Sequence, residues 1–374
     1  MPEENIEDMA QARAKKYARS KYALAIANTV YLLLLIFLSE SLGIAKSFAQ
    51  SLCAPIKFGC LVFPVYLAGL FIAYSILQFP LNWYGSFILE HKFSLTTQKF
   101  GAWLGDQLKA GLVGYIISLI GFGAFYLILK NNPASWWLIV SLFWIFFSII
   151  LAKVMPVVII PLFFKYKPLS DENLKQRIIN LAETMRIKVL DVFEIDFSKK
   201  TLKGNAAFLG IGKTKRVILA DTLKDKYSYD EIEVILAHEF SHYRLKHLWK
   251  LVLINSLSTL LFFYIIFRSY SYGLNFFGLA DLNDLAAFPV IIMYLVLLGI
   301  ITQPLENYLS RRFEKNADSL ALKTTGLKEA FISMMNKLSS QNLSERNPHP
   351  IIKFFFFDHP PAGERIASAE SFKK

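Results

Sequence analysis

Residues 234–247 read Val234-Ile235-Leu236-Ala237-His238-Glu239-Phe240-Ser241-His242-Tyr243-Arg244-Leu245-Lys246-His247. His238 and His242 are four residues apart, so on a helix of about 3.6 residues per turn they leave from one face and can hold one metal ion between them. Neutral imidazole nitrogens are good zinc ligands, and Glu239, beside the pair, is placed to take a proton from a water that the metal activates. The pattern is short, and two half-buried histidines on an ordinary helix would give the same row of letters.

A second cluster lies downstream, Asn307-Tyr308-Leu309-Ser310-Arg311-Arg312-Phe313-Glu314-Lys315-Asn316-Ala317-Asp318. A catalytic zinc site needs a third protein ligand and one open position, and Glu314 completes a His₂Glu set of the metallopeptidase kind. Asp318 follows one helical turn later, where it can accept the second ring N–H of a ligand histidine. The alternative is surface charge, since Arg311, Arg312, Glu314, Lys315 and Asp318 also form i,i+3 and i,i+4 pairs.

Both clusters sit in a chain unlike an ordinary soluble one. Its 374 residues are 54% hydrophobic and 15% aromatic, with a mean hydropathy of +0.39. Apolar runs long enough to cross a hydrocarbon core of about 30 Å mark it as an integral membrane protein. They fall at about 22–42, 60–82, 108–129, 136–164, 251–270 and 286–303. The first is too long, and lacks the small-residue cleavage site, for a removed signal peptide. The expected fold is therefore mostly α, a polytopic α-helical membrane protein of about six spans.

The chain divides accordingly into a four-span region (1–164), an insertion ending in the motif helix (165–250), two further spans (251–303) and a C-terminal catalytic segment with the third ligand (304–374). The net charge is +12, from 41 basic and 29 acidic residues. No nucleic-acid motif accompanies it, so nucleic acid is not an expected partner; the bilayer is. Five Lys/Arg precede the first span, three lie in or beside the second loop (Lys92, Lys99, Lys109), seventeen in 165–250 and eleven after 303, against two, one and none in the alternate loops. This asymmetry places both clusters on the cytoplasmic side. Cys53 and Cys60 sit in or next to the first of the alternate loops and have no zinc-type partner; a disulfide there requires an oxidising compartment.

Within the insertion, Asp171 to Arg186 reads as an amphipathic helix, and Val189 to Phe197 and Arg216 to Ala220 read as strands. Between them Gly204-Asn205-Ala206-Ala207-Phe208-Leu209-Gly210 is a short extended segment. It is either an edge that an extended peptide joins by backbone hydrogen bonds or a plain hairpin arm. Tyr229 and Asp230 open the motif helix, and no Pro or Gly stops it before the fifth span, so a continuous helix is expected. On such a helix His247 points off the ligand face and is structural. Gly326 ends the Glu314 helix, and 327–338 forms another. In the tail, His349 and His359 compete as donors to a developing oxyanion, with Arg365 nearby, or both belong to Pro-rich turns with no catalytic part; spacing does not choose.

Several stretches taken together resemble the CAAX prenyl protease 1 (Ste24) group of membrane zinc metallopeptidases, family M48. They are Glu90-His91-Lys92-Phe93 with Asp106 and Lys109, Pro161-Leu162-Phe163 with Pro168-Leu169, Asn205-Ala206 with Gly210, and Asp221-Thr222-Leu223. The series continues through His238 to His242, the block from Ser310 to Asp318, and His359-Pro360-Pro361 with Glu364-Arg365. The resemblance implies a gluzincin-type α+β catalytic domain holding one zinc ion per chain on His238, His242 and Glu314, with Glu239 as general base and Asp318 behind a ligand. It also implies a substrate edge at Asn205 and Ala206, and His359 and Arg365, not His349, as stabilisers of the reacting centre. The implied substrates are peptides or proteins, prenylated or membrane-associated. Two features depart from the eukaryotic pattern: six spans instead of seven, and Ser94-Leu95-Thr96 where Gly-Phe-Asn is usual. Both fit a prokaryotic relative in a bacterial-type cytoplasmic membrane. A quality-control protease of the HtpX type shares the zinc motifs but lacks the block containing Glu90 to Lys109. A six-span transporter would carry ionisable residues inside its spans, and Lys153 is the main one here.

Overall fold

In hydrocarbon a backbone must satisfy its own hydrogen bonds, so the apolar runs fold as helices. The computed structural model describes residues 3–53, 55, 59–209 and 215–373; Gly210 lies outside them. Among the described residues, six helices are long and apolar enough to cross a membrane: Met9–Ser41, Gly59–Lys92, Phe100–Asn131, Trp136–Leu162, His247–Phe276 and Leu285–Thr325. Most run beyond the apolar cores read from the sequence, because a helix does not have to stop where the lipid does.

The first span belongs to α1 (Glu3–Ser41), and α2 (Ile44–Cys53) lies across its end. The second is α3 (Val62–Trp83), which passes through a π turn at Tyr84–Ile88 into α4 (Leu89–Lys92). The third and fourth are α5 (Phe100–Asn131) and α6 (Trp136–Val154). Aromatic side chains join α5 and α6 to the fifth and sixth spans: Phe125 and Trp136 meet Phe263, and Trp136 is fully enclosed. At most 39% of any span's apolar window is buried within the protein, so most of these side chains face lipid or space between the helices.

The insertion builds a small mixed sheet from β1 (Tyr166–Pro168), β2 (Asp191–Ile195), β3 (Ala206–Leu209) and β4 (Arg216–Ala220), with α7 (Glu172–Thr184) between the first two strands. The order is β1-β2-β4-β3; β2 and β4 run parallel and the outer pairs antiparallel. The segment from Gly204 leads into β3, one arm of a β3–β4 hairpin whose other side is a sheet edge.

After α8 (Asp221–Lys224) comes the motif helix α9 (Tyr229–Arg244). Ser228 accepts from the Glu231 N–H while the Glu231 carboxylate accepts from the Ser228 N–H, a reciprocal cap that fixes where α9 begins. The expected unbroken helix into the fifth span is not found. The chain leaves α9 at Leu245, and Lys246 takes a left-handed conformation (φ 57°) before α10 (His247–Phe276) starts. No Gly marks this break, which is why the sequence hid it.

The sixth span and the third-ligand helix are a single element, α11 (Phe288–Thr325), with Pro304 inside it and Gly326 capping it at φ 67°. Then follow α12 (Lys328–Asn342), α13 (Pro350–Phe356) and α14 (Ala362–Glu370). One apolar core collects α7, β2, β4, α9, the end of α11, α12 and α14, with Phe240 and Phe331 fully buried in it. The C-terminal segment is therefore part of the same folded unit as the insertion, although two spans separate them in sequence.

Candidate active site

Asn307, Arg311, Glu314 and Asp318 recur along one buried face of α11, at spacings of four, three and four residues. This face packs on α9, and the two helices bring the candidate ligands together. Nε2 of His242 lies 3.1 Å from Glu314 Oε1, and Nε2 of His238 lies 3.2 Å from Oε2. The two Nε2 atoms are 3.1 Å apart. One donor atom from each of the three residues falls within 4.8 Å of the others. Oε2 of Glu314 is sealed from solvent and makes no hydrogen bond within the described residues, although an imidazole nitrogen is beside it. Two imidazole nitrogens and a carboxylate converging on one point fit a cation.

The pocket's charge agrees with this. Burial pulls the His238 imidazole down, but the hydrogen bond to Asp318 and the Glu314 carboxylate beside it more than offset this and hold the ring at about 9. Asp318 Oδ1 accepts from Nδ1 of His238 at 2.8 Å, which turns Nε2 toward Glu314. Arg365 braces that carboxylate with two donors, Nε to Oδ2 at 2.8 Å and Nη2 to Oδ1 at 2.6 Å. Burial alone would lower the guanidinium, yet Asp318 keeps it raised and charged. Arg365 thus meets the site through Asp318 and His238, a more specific placement than the spacing of the tail implied.

Glu239 projects beside the two histidines. Removal from water holds its carboxyl above the ordinary glutamate range, with His238 and His242 pulling the other way. His359 reaches the opposite side, its Nε2 3.4 Å from Glu314 Oε1. Asp358 accepts from its Nδ1 at 2.9 Å, and this contact raises the imidazole. More than half of the ring is open to solvent. His349 is spent elsewhere: it is exposed and caps α13, its Nδ1 accepting from the Ile351 N–H at 3.3 Å.

The delivery of His359 depends on Asn307 and on Arg311, which the sequence also allowed as surface charge. Asn307 donates to the Phe355 carbonyl at 2.7 Å, and Arg311 to the carbonyls of Lys353 and Phe357. The signal was present in their spacing to Glu314 and Asp318. His247, expected to point away, is turned back by the break at Lys246; its Nδ1 lies 3.2 Å from Nδ1 of His242.

Beside the ligands runs β3. Phe208 packs edge-on against Phe240, the residue after Glu239, with ring centroids 5.0 Å apart. Asn205 is exposed at the strand's start, where its carbonyl accepts from Ala220. Just before it, Gly204 is bracketed by Asn342, which donates to its carbonyl and accepts from its N–H. A Cβ there would come within 2.7 Å of Leu223. The second loop steadies the same segment: Leu202 donates to the Leu95 carbonyl. Glu90 accepts from Tyr17 at 2.6 Å and pairs with Lys203 at 2.9 Å.

A cation-binding His₂Glu centre with an adjacent carboxylate, set against an open sheet edge and reached from a bundle of membrane helices, defines an integral membrane metallopeptidase. Comparison with known proteins agrees. Residues 168–373 match peptidase family M48, and residues 2–165 match the CAAX prenyl protease N-terminal family described as five membrane helices. The chain belongs to family M48. It is 31% identical to CAAX prenyl protease 1 of Saccharomyces cerevisiae over 98% of this chain and 87% of that one. It is 30% identical to the uncharacterized metalloprotease YhfN of Bacillus subtilis over 96% and 85%. Its fold is similar to that in the crystal structure of S. mikatae Ste24p, with a TM-score of 0.87, 26% identity, and 98% and 90% of the two chains covered.

Proposed function

We propose that this enzyme is a zinc endopeptidase that cuts an extended peptide laid along β3, from the cytoplasmic side of the membrane. The observation that carries this reading is the meeting of His238, His242 and Glu314 within 4.8 Å, with Glu239 beside the two histidines on α9. Zinc held by these three residues supplies Lewis acidity, polarising the scissile carbonyl and acidifying water.

The protein's own groups do the rest. Asn205 and Ala206 begin the edge whose free N–H and C=O groups pair with the peptide backbone and set its register. Glu239 takes a proton from the attacking water and returns it to the departing amine. A carboxyl raised by burial is a stronger base for this than one in water. His359, pinned by Asp358 and with its proton affinity raised by that contact, is the donor from Nε2 to the oxygen on which negative charge grows. Arg365 and Asp318 act through His238, fixing its tautomer and direction. The insertion (165–250) and the segment after 303 form one catalytic unit, carried by the four-span region (1–164) and the pair of spans at 251–303.

The relatives named for CAAX prenyl cleavage make the substrate class concrete: peptides or proteins at the membrane, with a prenylated C-terminus as the first to try. Similarity to the Bacillus protein supports a bacterial-type cytoplasmic membrane. Glu239→Gln keeps all three ligands and removes the base, so it is expected to retain zinc by elemental analysis and to lose hydrolysis. Normal turnover by this variant would refute the role given to Glu239. Incubating the enzyme with farnesylated and unmodified copies of one peptide, and mapping the cuts by mass spectrometry, tests the substrate class. Equal cleavage of both would remove prenyl recognition from the proposal.

A further inference from the structure

His238 and His242 are held in different ways. His238 gives its Nδ1 to a carboxylate, that of Asp318. Nδ1 of His242 lies instead 3.2 Å from Nδ1 of His247. His247 reaches this point because the chain turns through Lys246 before α10 begins. It has 1% of its surface exposed, and its ring lies flat on Phe313, with centroids 4.6 Å apart and planes 19° from parallel. Phe313 immediately precedes Glu314, so one imidazole touches the second ligand and the neighbour of the third.

We propose that His247 is the positioning residue for His242. Two facing ring nitrogens share one proton. With Nε2 of His242 turned toward Glu314 and His238, that proton sits on Nδ1 of His242, and Nδ1 of His247 accepts it. The proton of His247 is then on Nε2, a buried nitrogen with no hydrogen-bond partner among the described residues. A fold that leaves such a group unpaired retains it for what the other nitrogen does. The contact fixes the tautomer that bares Nε2 of His242, and the stack on Phe313 ties its direction to the helix carrying Glu314. The inference rests on the reading of His238, His242 and Glu314 as metal ligands.

Two substitutions separate the acceptor from the stack. His247→Phe keeps a flat ring on Phe313 and removes the acceptor; His247→Asn puts an amide oxygen near the place of Nδ1 and gives up the stack. The full-length chain, purified in detergent and stripped with a chelator, is titrated with zinc against a chromophoric competitor, and the metal-free proteins are melted in parallel. His247→Phe is expected to bind zinc about 10- to 100-fold more weakly, the usual effect of losing a ligand's outer partner, while melting like the parent. His247→Asn is expected to stay within a few-fold of the parent in zinc affinity, whatever it loses in melting temperature. Parent-like zinc affinity in His247→Phe would overturn the proposal, as would equal weakening in both variants. Should His247→Phe not fold, His247→Leu replaces it, since it too lacks an acceptor. A parent protein that takes up no zinc, or a Glu314→Ala variant that takes it up as well as the parent, would overturn the ligand assignment instead.

Discussion

Asp318 receives His238 on one side and a two-pronged guanidinium on the other, and this buried chain of three is where the site is most exposed to small changes. Arg365→Lys keeps the charge but replaces a planar fork with a point donor that cannot span both carboxylate oxygens. We expect kcat/KM to fall about 10- to 100-fold with most of the metal retained, as read from peptide turnover and elemental analysis on one preparation. Glu314→Ala should instead lose the metal, since a ligand is gone; a fully loaded variant would place the third ligand elsewhere. His238 with His242, and Glu314 with Asp318, were legible in the sequence because a four-residue spacing sets each pair on one face of a helix, and Glu239 because it adjoins the first pair. Arg311 obeys the same helical periodicity but also makes ordinary charge-pair spacings, Asn307 carries no charge to mark it, and the carbonyls they hold are more than forty residues away. His247 was misread for a different reason: its place depends on one left-handed residue, Lys246, that no Gly or Pro announces.

Among the elements, α9 decides the geometry, and its first turn is its anchor. Glu231 has only 3% of its surface exposed and accepts from the Ser228 N–H, the Ser333 hydroxyl at 2.6 Å and the Lys337 ammonium at 2.8 Å. Burial opposes its charge, but Lys337, Ser333 and Ser228 together hold the carboxyl below the ordinary 4.5. A depressed folded pKa contributes stability that is fully present above the unfolded value and is lost as pH falls through the folded one. Acidification below 4.5 should therefore lower the melting temperature of the parent more steeply than that of Glu231→Gln, whose side chain does not titrate. Parallel melting curves would show that Glu231 adds no pH dependence. Tyr229 and Asp230 marked where α9 opens but the cap formed by Ser228 and Glu231 was not read, whereas Arg216 to Ala220 was readable as a strand to the residue. β1 was not, because three residues ending in Pro168 carry no periodicity; only pairing with β2 makes them a strand.

At the scale of the whole molecule, six crossings require the loops to alternate sides, and the packing agrees. The N-terminal end of α1, the second loop and the insertion all touch, through Arg13 to the Phe93 carbonyl and Thr96 to the Lys200 carbonyl. At the other end, Phe37 of α1 meets Phe276 and Phe277 after α10. Apolar length and cation asymmetry made this arrangement readable, whereas the joining of the insertion to the C-terminal segment came only from long-range packing. The chain supplies its own reporters for orientation. Its two cysteines, Cys53 and Cys60, are exposed free thiols, the first in the connection between the first two spans and the second at the start of the second span, at the end away from the catalytic unit. If the cation asymmetry sets the orientation, a membrane-impermeant maleimide should label the protein in intact cells or right-side-out vesicles, and labelling should fall sharply in inverted vesicles. The reverse pattern would turn the molecule over. Glu239 would then face the outside, and a cytoplasmic substrate would be ruled out whatever the chemistry of the site.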